Sequence, residues 1–274
     1  MAADNSTLRP GQRLTKRGDC TRTNAKLRLM IRDAVVLAAG LGSRISLDDN
    51  SPPKPLLSVG GMPLVKRTLL TLAAGGVTRA CVVIGHMGER IRAALAGDAE
   101  LAAASLQVEF VENPDYRLAN GVSVVAARAC ITGPFVLSMS DHVYDVDLAR
   151  LAVQADLRDA DLFLCVDRRL DEIYDMDDAT KVRTQDGRIV DIGKTIANYD
   201  CIDCGVFAVG PALLDALAAE RQRRGDCSLS DGVRVLAERG RARVLDIGNA
   251  FWQDVDTLGA AQRAESILAG RASH

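Results

Sequence analysis

Aromatic residues are scarce in this 274-residue sequence: five Phe, four Tyr and one Trp, 4% in all. So few rings argue against a chemistry built on an aromatic cage, such as recognition of a quaternary amine. No apolar run approaches the roughly 18–20 residues that a membrane span requires. The first thirty residues also lack the continuous apolar stretch of a secretory leader, so a cytoplasmic protein is expected. Cysteine is present in an odd number, seven, scattered through apparent strands and helices. That suits reduced thiols better than a disulfide framework. Cys201 and Cys204 form a CxxC pair, but no second pair and no nearby histidine accompany it. The pair therefore reads as strand positions, not as a metal or redox site.

What remains is ordinary for a globular chain, 48% apolar and 26% charged, long enough to bury a core without staples. The formal net charge of −2 hides an asymmetry. Residues 1–32 hold eight Lys/Arg against Asp4 and Asp19, so the rest of the chain is strongly acidic. A body of that sign is a poor nucleic-acid surface. The basic arm lacks helical periodicity and reads as a flexible tail ahead of a domain spanning 33–274.

Ala34–Ala38 is a short apolar run stopped by glycines, the mark of a strand buried on both faces. Similar runs recur at 80–84, 107–111 and 135–139, separated by helical stretches near 63–75, 88–96 and 121–131. That alternation predicts an α/β fold with a Rossmann-like, doubly wound sheet. Beyond residue 160 the pattern changes, with strands expected at 161–167, 180–185, 188–192 and 202–209. Asp186-Gly187 is a hairpin turn between the middle two. Helices near 211–223 and 229–239, a strand at 243–247 and a last helix from about 257 complete a mixed sheet with a small β-rich insertion.

The first strand runs into Leu37-Ala38-Ala39-Gly40-Leu41-Gly42-Ser43-Arg44. Glycines after a strand let consecutive backbone N–H groups close on a phosphate, and Arg44 adds a cation. Ile45 stands at the third glycine position of a dinucleotide loop, and no Gly-Lys-Ser/Thr follows as in a Walker loop. Ten residues on, Pro52-Pro53-Lys54-Pro55 holds a lysine on a stiffened segment. Phe135–Met139 leads to Ser140-Asp141-His142, a carboxylate just past the carboxyl end of a central strand, where α/β sheets bind ligands. In Trp252-Gln253-Asp254-Val255-Asp256 an extended backbone points both carboxylates the same way. One of them facing Asp141 would supply hard oxygen ligands for Mg²⁺. Either could instead cap the helix that begins near Thr257.

The glycine loop followed by Lys54-Pro-Leu resembles the signature of the MobA-like, sugar-phosphate nucleotidyltransferases, over nearly the whole chain from residue 33. The resemblance implies that Leu37, Ala38, Ala39, Gly40, Gly42 and Ser43 wrap a triphosphate and that Arg44 and Lys54 contact its oxygens. Three further segments are similar to the CTP:inositol-1-phosphate cytidylyltransferase family: Asn113–Ser123, Ser140-Asp-His-Val-Tyr144, and Asp178-Ala-Thr-Lys181 with Gly187–Lys194. Asp200–Gly205 continues the likeness, with Cys204 where threonine is expected. CTP and inositol 1-phosphate are then the expected substrates and CDP-inositol the product, passed to a separate membrane CDP-alcohol phosphotransferase. A homodimer is compatible with this reading.

Within it, Gly85, Asn120, Gly121 and Ser123 are expected at the nucleotide, the Asn120 amide both donating to and accepting from the cytosine edge. Lys181, Lys194 and Asp203 are expected on the acceptor side, beside the β-rich insertion, one lysine neutralising the acceptor phosphate. Asp141 with Asp254 or Asp256 is expected to hold Mg²⁺. His142 reads as positioning, because a phosphate nucleophile is already ionised at neutral pH and requires no base. A sugar 1-phosphate or choline-type phosphate remains an alternative acceptor. A non-catalytic nucleotide-binding protein would be expected to lose a carboxylate or the loop lysine, and all are present.

Overall fold

A computed structural model describes residues 30–42 and 51–272. Most of the basic arm, with Ser43, Arg44 and His274, lies outside the described residues.

The apolar runs form the strands they predict. In chain order the first half comprises β1 (Asp33–Ala38), the short pair β2 (Ser58–Val59) and β3 (Met62–Pro63), α1 (Leu64–Gly75), β4 (Arg79–Ile84), α2 (Gly88–Leu95), α3 (Ala99–Ala103), β5 (Gln107–Glu112), α4 (Asn120–Ala126) and β6 (Phe135–Met139). The second half comprises β7 (His142–Tyr144), α5 (Val146–Val153), β8 (Leu162–Asp167), β9 (Lys181–Gln185), β10 (Arg188–Gly193), β11 (Cys201–Val209), α6 (Ala212–Arg224), α7 (Leu229–Glu238), β12 (Ala242–Asp246), β13 (Trp252–Asp254) and α8 (Leu258–Ala272). Nine strands make one sheet in the order β5-β4-β1-β6-β11-β8-β12-β10-β9. β5, β4, β1 and β6 are parallel, and β11 runs antiparallel to both β6 and β8, so the sheet is mixed.

Strand alternation divides the core between two faces. Val35 and Leu37 pack with Cys81, Val83 and Phe135 beneath α4, α6 and α7. Ala34, Val36 and Ala38 pack with Val82 and Val136 beneath α1 and α5. This is the doubly wound arrangement. Cys201 and Cys204 belong to opposite faces and are buried free thiols, in keeping with strand positions.

The β9–β10 hairpin turns at Asp186 and Gly187, both with positive φ (51° and 72°), the conformation that suits a two-residue turn between twisted strands. The hairpin is continuous with the main sheet: β10 meets β12 at Arg188 and Arg243, and β9 pairs with β11 through Val182 and Cys201. Three further elements complete the fold. α3 is held by the Asp98 side chain, which accepts from the N–H groups of Glu100 and Leu101, and α5 is capped by Asp145. β13 pairs with β7, placing Asp254 opposite His142 and Trp252 opposite Tyr144. Among the described residues, no helix is long and apolar enough to cross a membrane.

Candidate active site

β1 and β6 are parallel neighbours, with Leu37 beside Met139, and the Ser140 N–H donates to the Leu37 carbonyl at 3.2 Å. The glycine loop and Asp141 therefore leave the sheet side by side at the carboxyl ends of its central strands. Lys54 lies on a single 3-10 turn, Lys54–Leu56, behind the loop. Gly42, at φ +64°, allows this approach, since a Cβ there would stand 2.6 Å from the Lys54 Cβ. The Lys54 ammonium is buried and bridges two carboxylates, donating to Asp141 Oδ2 at 2.6 Å and to Asp256 Oδ1. Burial alone would lower its pKa, but Asp141 and Asp256 outweigh that effect and hold it above the ordinary lysine value.

The other Asp141 oxygen meets His142 Nδ1 at 2.9 Å. Burial pushes the Asp141 carboxyl up, yet Lys54 and His142 together hold it well below the carboxylate range. The His142 ring stacks on Trp252, centroids 5.9 Å apart at 16°, and Trp252 Nε1 is pinned by Asp167 Oδ2 at 2.8 Å. Against the penalty of burial, Asp254 and Asp141 raise the imidazole to a pKa of about 9. Burial raises Asp254 to about 6, and its Oδ1 is a buried oxygen with no hydrogen-bond partner. Asp203, beside the same imidazole, is also raised by burial to about 6.

Two cavities meet at this cluster. The smaller, about 320 Å³, is lined by the loop, Tyr116, Leu118 and Ser123. The larger, about 850 Å³, lies between β11, the segment after β8, β13 and α8. Asn120, Met139, Asp141 and Asp256 line both.

Of the expected nucleotide residues, Leu37, Ala38, Ala39, Gly40, Gly42, Asn120 and Ser123 line the smaller cavity with Lys54. Gly85 and Gly121 line neither cavity, and their small size serves packing. A Cβ on Gly85 would meet the Tyr116 Cβ at 2.5 Å, and one on Gly121 would meet the Cys227 carbonyl oxygen at 2.6 Å. Asn120 is the first residue of α4, and its Oδ1 accepts from the Leu229 N–H at 2.9 Å, tying α4 to α7. That bond takes one of the two lone pairs of the amide oxygen, and its NH₂ is left as a donor for a ligand.

On the other side, Lys194 and Asp203 line the larger cavity, Lys194 paired with Asp178 at 2.6 Å. Lys181 does not join them. It is buried, and its ammonium donates to the Asp177 carbonyl at 3.1 Å, holding the preceding loop. Asp254 and Asp256 do share one side, their carboxylate oxygens lying within 4.8 Å of each other and of Asp178. At the start of the last helix Thr257 Oγ1 accepts from the Ala260 N–H at 3.1 Å.

Some lining groups had no signal in the sequence. Four of the ten aromatics, Tyr174, Phe207, Phe251 and Trp252, border the larger cavity. Side chains of the protein already cover three of them: Arg263 over Tyr174 at 5.2 Å, Arg271 over Phe251 at 5.0 Å, and the His142 ring stacked on Trp252. Those rings are a poor cage for a second cation. Gly205, at φ +72°, makes room for the His142 ring, and it was visible only as the end of the Asp200–Gly205 segment.

The donor set fits a divalent cation. The orphaned Asp254 Oδ1 requires a partner, and the oxygens of Asp141 and Asp254, and of Asp178, Asp254 and Asp256, approach closely enough to share one.

Known proteins resemble this chain over most of its length. A protein of Rubrobacter xylanophilus described as a bifunctional IPC transferase and DIPP synthase is 38% identical over 245 residues, covering 88% of this chain and 52% of that protein. A protein of Archaeoglobus fulgidus with the same description is 31% identical over 245 residues, covering 89% of this chain and 45% of the relative. The chain thus spans about half the length of these curated relatives. The solved structure of the inositol-1-phosphate CTP transferase from T. maritima superposes with a TM-score of 0.73 at 28% identity, covering 86% of this chain and 94% of that one. The family model of the MobA-like NTP transferase domain matches residues 34–273, and the chain belongs to that family.

Proposed function

We propose that the chain is a Mg²⁺-dependent cytidylyltransferase that makes CDP-inositol and pyrophosphate from CTP and inositol 1-phosphate. The observation that carries this reading is the meeting of two cavities at Asp141 and Asp256, the two carboxylates that Lys54 bridges. One cavity is floored by backbone at the end of β1, as a triphosphate requires, and the other is rich in carboxylates, as a polyol with many hydroxyl donors requires. The similarity to an IPC transferase and to an inositol-1-phosphate CTP transferase supports this substrate class.

In this reaction an oxygen of the acceptor phosphate attacks the α-phosphorus in line. The new P–O bond forms as the bond to the β-phosphate oxygen breaks, and pyrophosphate carries the electron pair away. Such a step needs orientation and charge neutralisation more than covalent chemistry. The loop amides, Lys54 and Arg44 would hold the β- and γ-phosphates. Lys194 would exchange its Asp178 partner for the acceptor phosphate, and Asp203 would accept from an acceptor hydroxyl, with the β9–β10 hairpin closing that side. Asp141, Asp254 and Asp256 would hold Mg²⁺, which as a Lewis acid neutralises phosphate oxygens. His142 would keep Asp141 ionised and oriented. The product would pass to a membrane phosphotransferase acting on CDP-alcohols.

The test is pyrophosphate release with Mg²⁺, scanning CTP, UTP, GTP, ATP and dTTP against inositol 1-phosphate, glucose 1-phosphate and phosphocholine. Release confined to CTP with inositol 1-phosphate is expected. Release with a different pair would overturn the substrate assignment and leave the family intact.

A further inference from the structure

Lys54 is tied to the same carboxylates that would bind the metal. Its ammonium donates to Asp141 Oδ2 at 2.6 Å and to Asp256 Oδ1, while His142 occupies the other Asp141 oxygen. A divalent ion bonded to those two oxygens would stand about 2.1 Å from each. On the near side, that is the volume the ammonium fills; on the far side, the ion would lie a few ångströms from a cation it repels. The third carboxylate, Asp254, keeps an unpartnered buried oxygen and has a carboxylate oxygen close to Asp141 on one side and to Asp256 on the other, both of which Lys54 already neutralises.

The lysine can leave without moving the backbone. Pro53 and Pro55 fix the short turn that carries it, and its four methylenes can re-aim the ammonium. The same side chain lines the cavity bounded by the glycine loop, where a triphosphate would present a stronger anion than either carboxylate.

Building on the proposed metal-dependent reading, we propose that Lys54 is an exchangeable internal cation. In the free enzyme it occupies the metal position between Asp141 and Asp256, and it moves to the triphosphate when nucleotide binds, so that metal and nucleotide enter together. Free divalent ion then binds the empty enzyme weakly, and each of metal and nucleotide raises the affinity for the other.

Mn²⁺ titration followed by water-proton relaxation tests this without turnover. Wild type should bind Mn²⁺ weakly when alone and tightly with a non-hydrolysable CTP analogue, above the binding of the analogue itself. Lys54→Met should bind Mn²⁺ without nucleotide about a hundredfold more tightly than wild type, because the ion no longer has to break a buried ion pair. Lys54→Arg, which keeps the cation, should stay weak. Equal affinity of Lys54→Met and free wild type would overturn the proposal. If Lys54→Met does not fold even with Mn²⁺, wild type decides: equal Mn²⁺ affinity with and without the analogue overturns it, and a large gain supports it. Failure of the metal assignment looks different. Neither the nucleotide complex nor Lys54→Met would then bind Mn²⁺, and Asp254→Asn would change nothing.

Discussion

Gly205→Ala probes the site through a single methyl group. The residue sits at φ +72° on β11, and a Cβ there would stand 2.6 Å from His142 Cδ2 and 2.7 Å from Nε2. The left-handed backbone costs a residue with a side chain about 1–2 kcal/mol. Overpacking of a filled site costs about 1–3 kcal/mol more. The imidazole cannot relieve the clash freely, because Trp252 stacks on it and Asp141 bonds to it. If the ring stays, the variant loses about 2–5 kcal/mol of stability, the sum of the two costs. If the ring moves, stability partly returns but the hydrogen bond that orients Asp141 is lost, worth about 1.5–3 kcal/mol for a charged partner. By that route kcat should fall roughly ten- to hundredfold. Urea denaturation and steady-state pyrophosphate release at saturating substrate separate the two outcomes. Repeating the change in a His142→Ala background removes the collision and should leave about 1–2 kcal/mol, the backbone cost alone. A single variant within about 0.5 kcal/mol of wild type, the range of ordinary surface changes, and with normal turnover would refute the placement of His142 against Gly205.

Lys54→Ala should lower kcat by at least about 10²-fold, about 2.7 kcal/mol in the barrier, measured by pyrophosphate release. Asp141→Ala should abolish turnover while circular dichroism shows a folded protein, and an active variant would remove Asp141 from the metal site. Asn120→Ala should weaken CTP binding and loosen the α4–α7 contact together; Asn120→Asp keeps the acceptor for the Leu229 N–H and should restore stability without restoring affinity, read by calorimetry beside thermal melting. At the start of α7, Ser228 and Asp231 form a reciprocal cap, and Ser228→Ala should cost about 1 kcal/mol. Burial pushes the Asp231 carboxyl up, but the Ser228 hydrogen bonds and Arg224 and Arg234 outweigh it and hold it below the carboxylate range. A lowered folded pKa stabilises above the unfolded value, so the gap between wild type and Asp231→Ala should be flat above about pH 5 and shrink as pH falls through the folded value. A gap that widens in acid would contradict that assignment.

The parallel half of the sheet was legible because strands buried on both faces leave continuous apolar runs, and the Asp186-Gly187 turn because its dipeptide demands positive φ. β13 was legible only as an extended segment, and its place comes from pairing with β7, far away in sequence. The same division runs through the site. Lys54, Asp141, Asp254 and Asp256 are identifiable by type and neighbourhood, but the bridge from Lys54 to Asp141 spans 87 residues and that to Asp256 spans 202, beyond any local pattern. Lys181 and Lys194 are equivalent as letters on one hairpin, yet one ammonium is spent on the Asp177 carbonyl and the other borders the cavity, paired with Asp178. What a motif cannot convey is that the cations come already matched: Lys54 with Asp141 and Asp256, Lys194 with Asp178, Arg169 with Asp167. Anionic substrates therefore reach these three cations only by displacing a carboxylate. They gain only the difference between their own attraction and that of the carboxylate they replace, less whatever the freed carboxylate loses by being left buried. A freed carboxylate that can take up a metal ion lowers that loss. The juxtaposition of the Lys54 pair with the unpartnered Asp254 oxygen is therefore the feature that favours binding of metal and nucleotide as a unit.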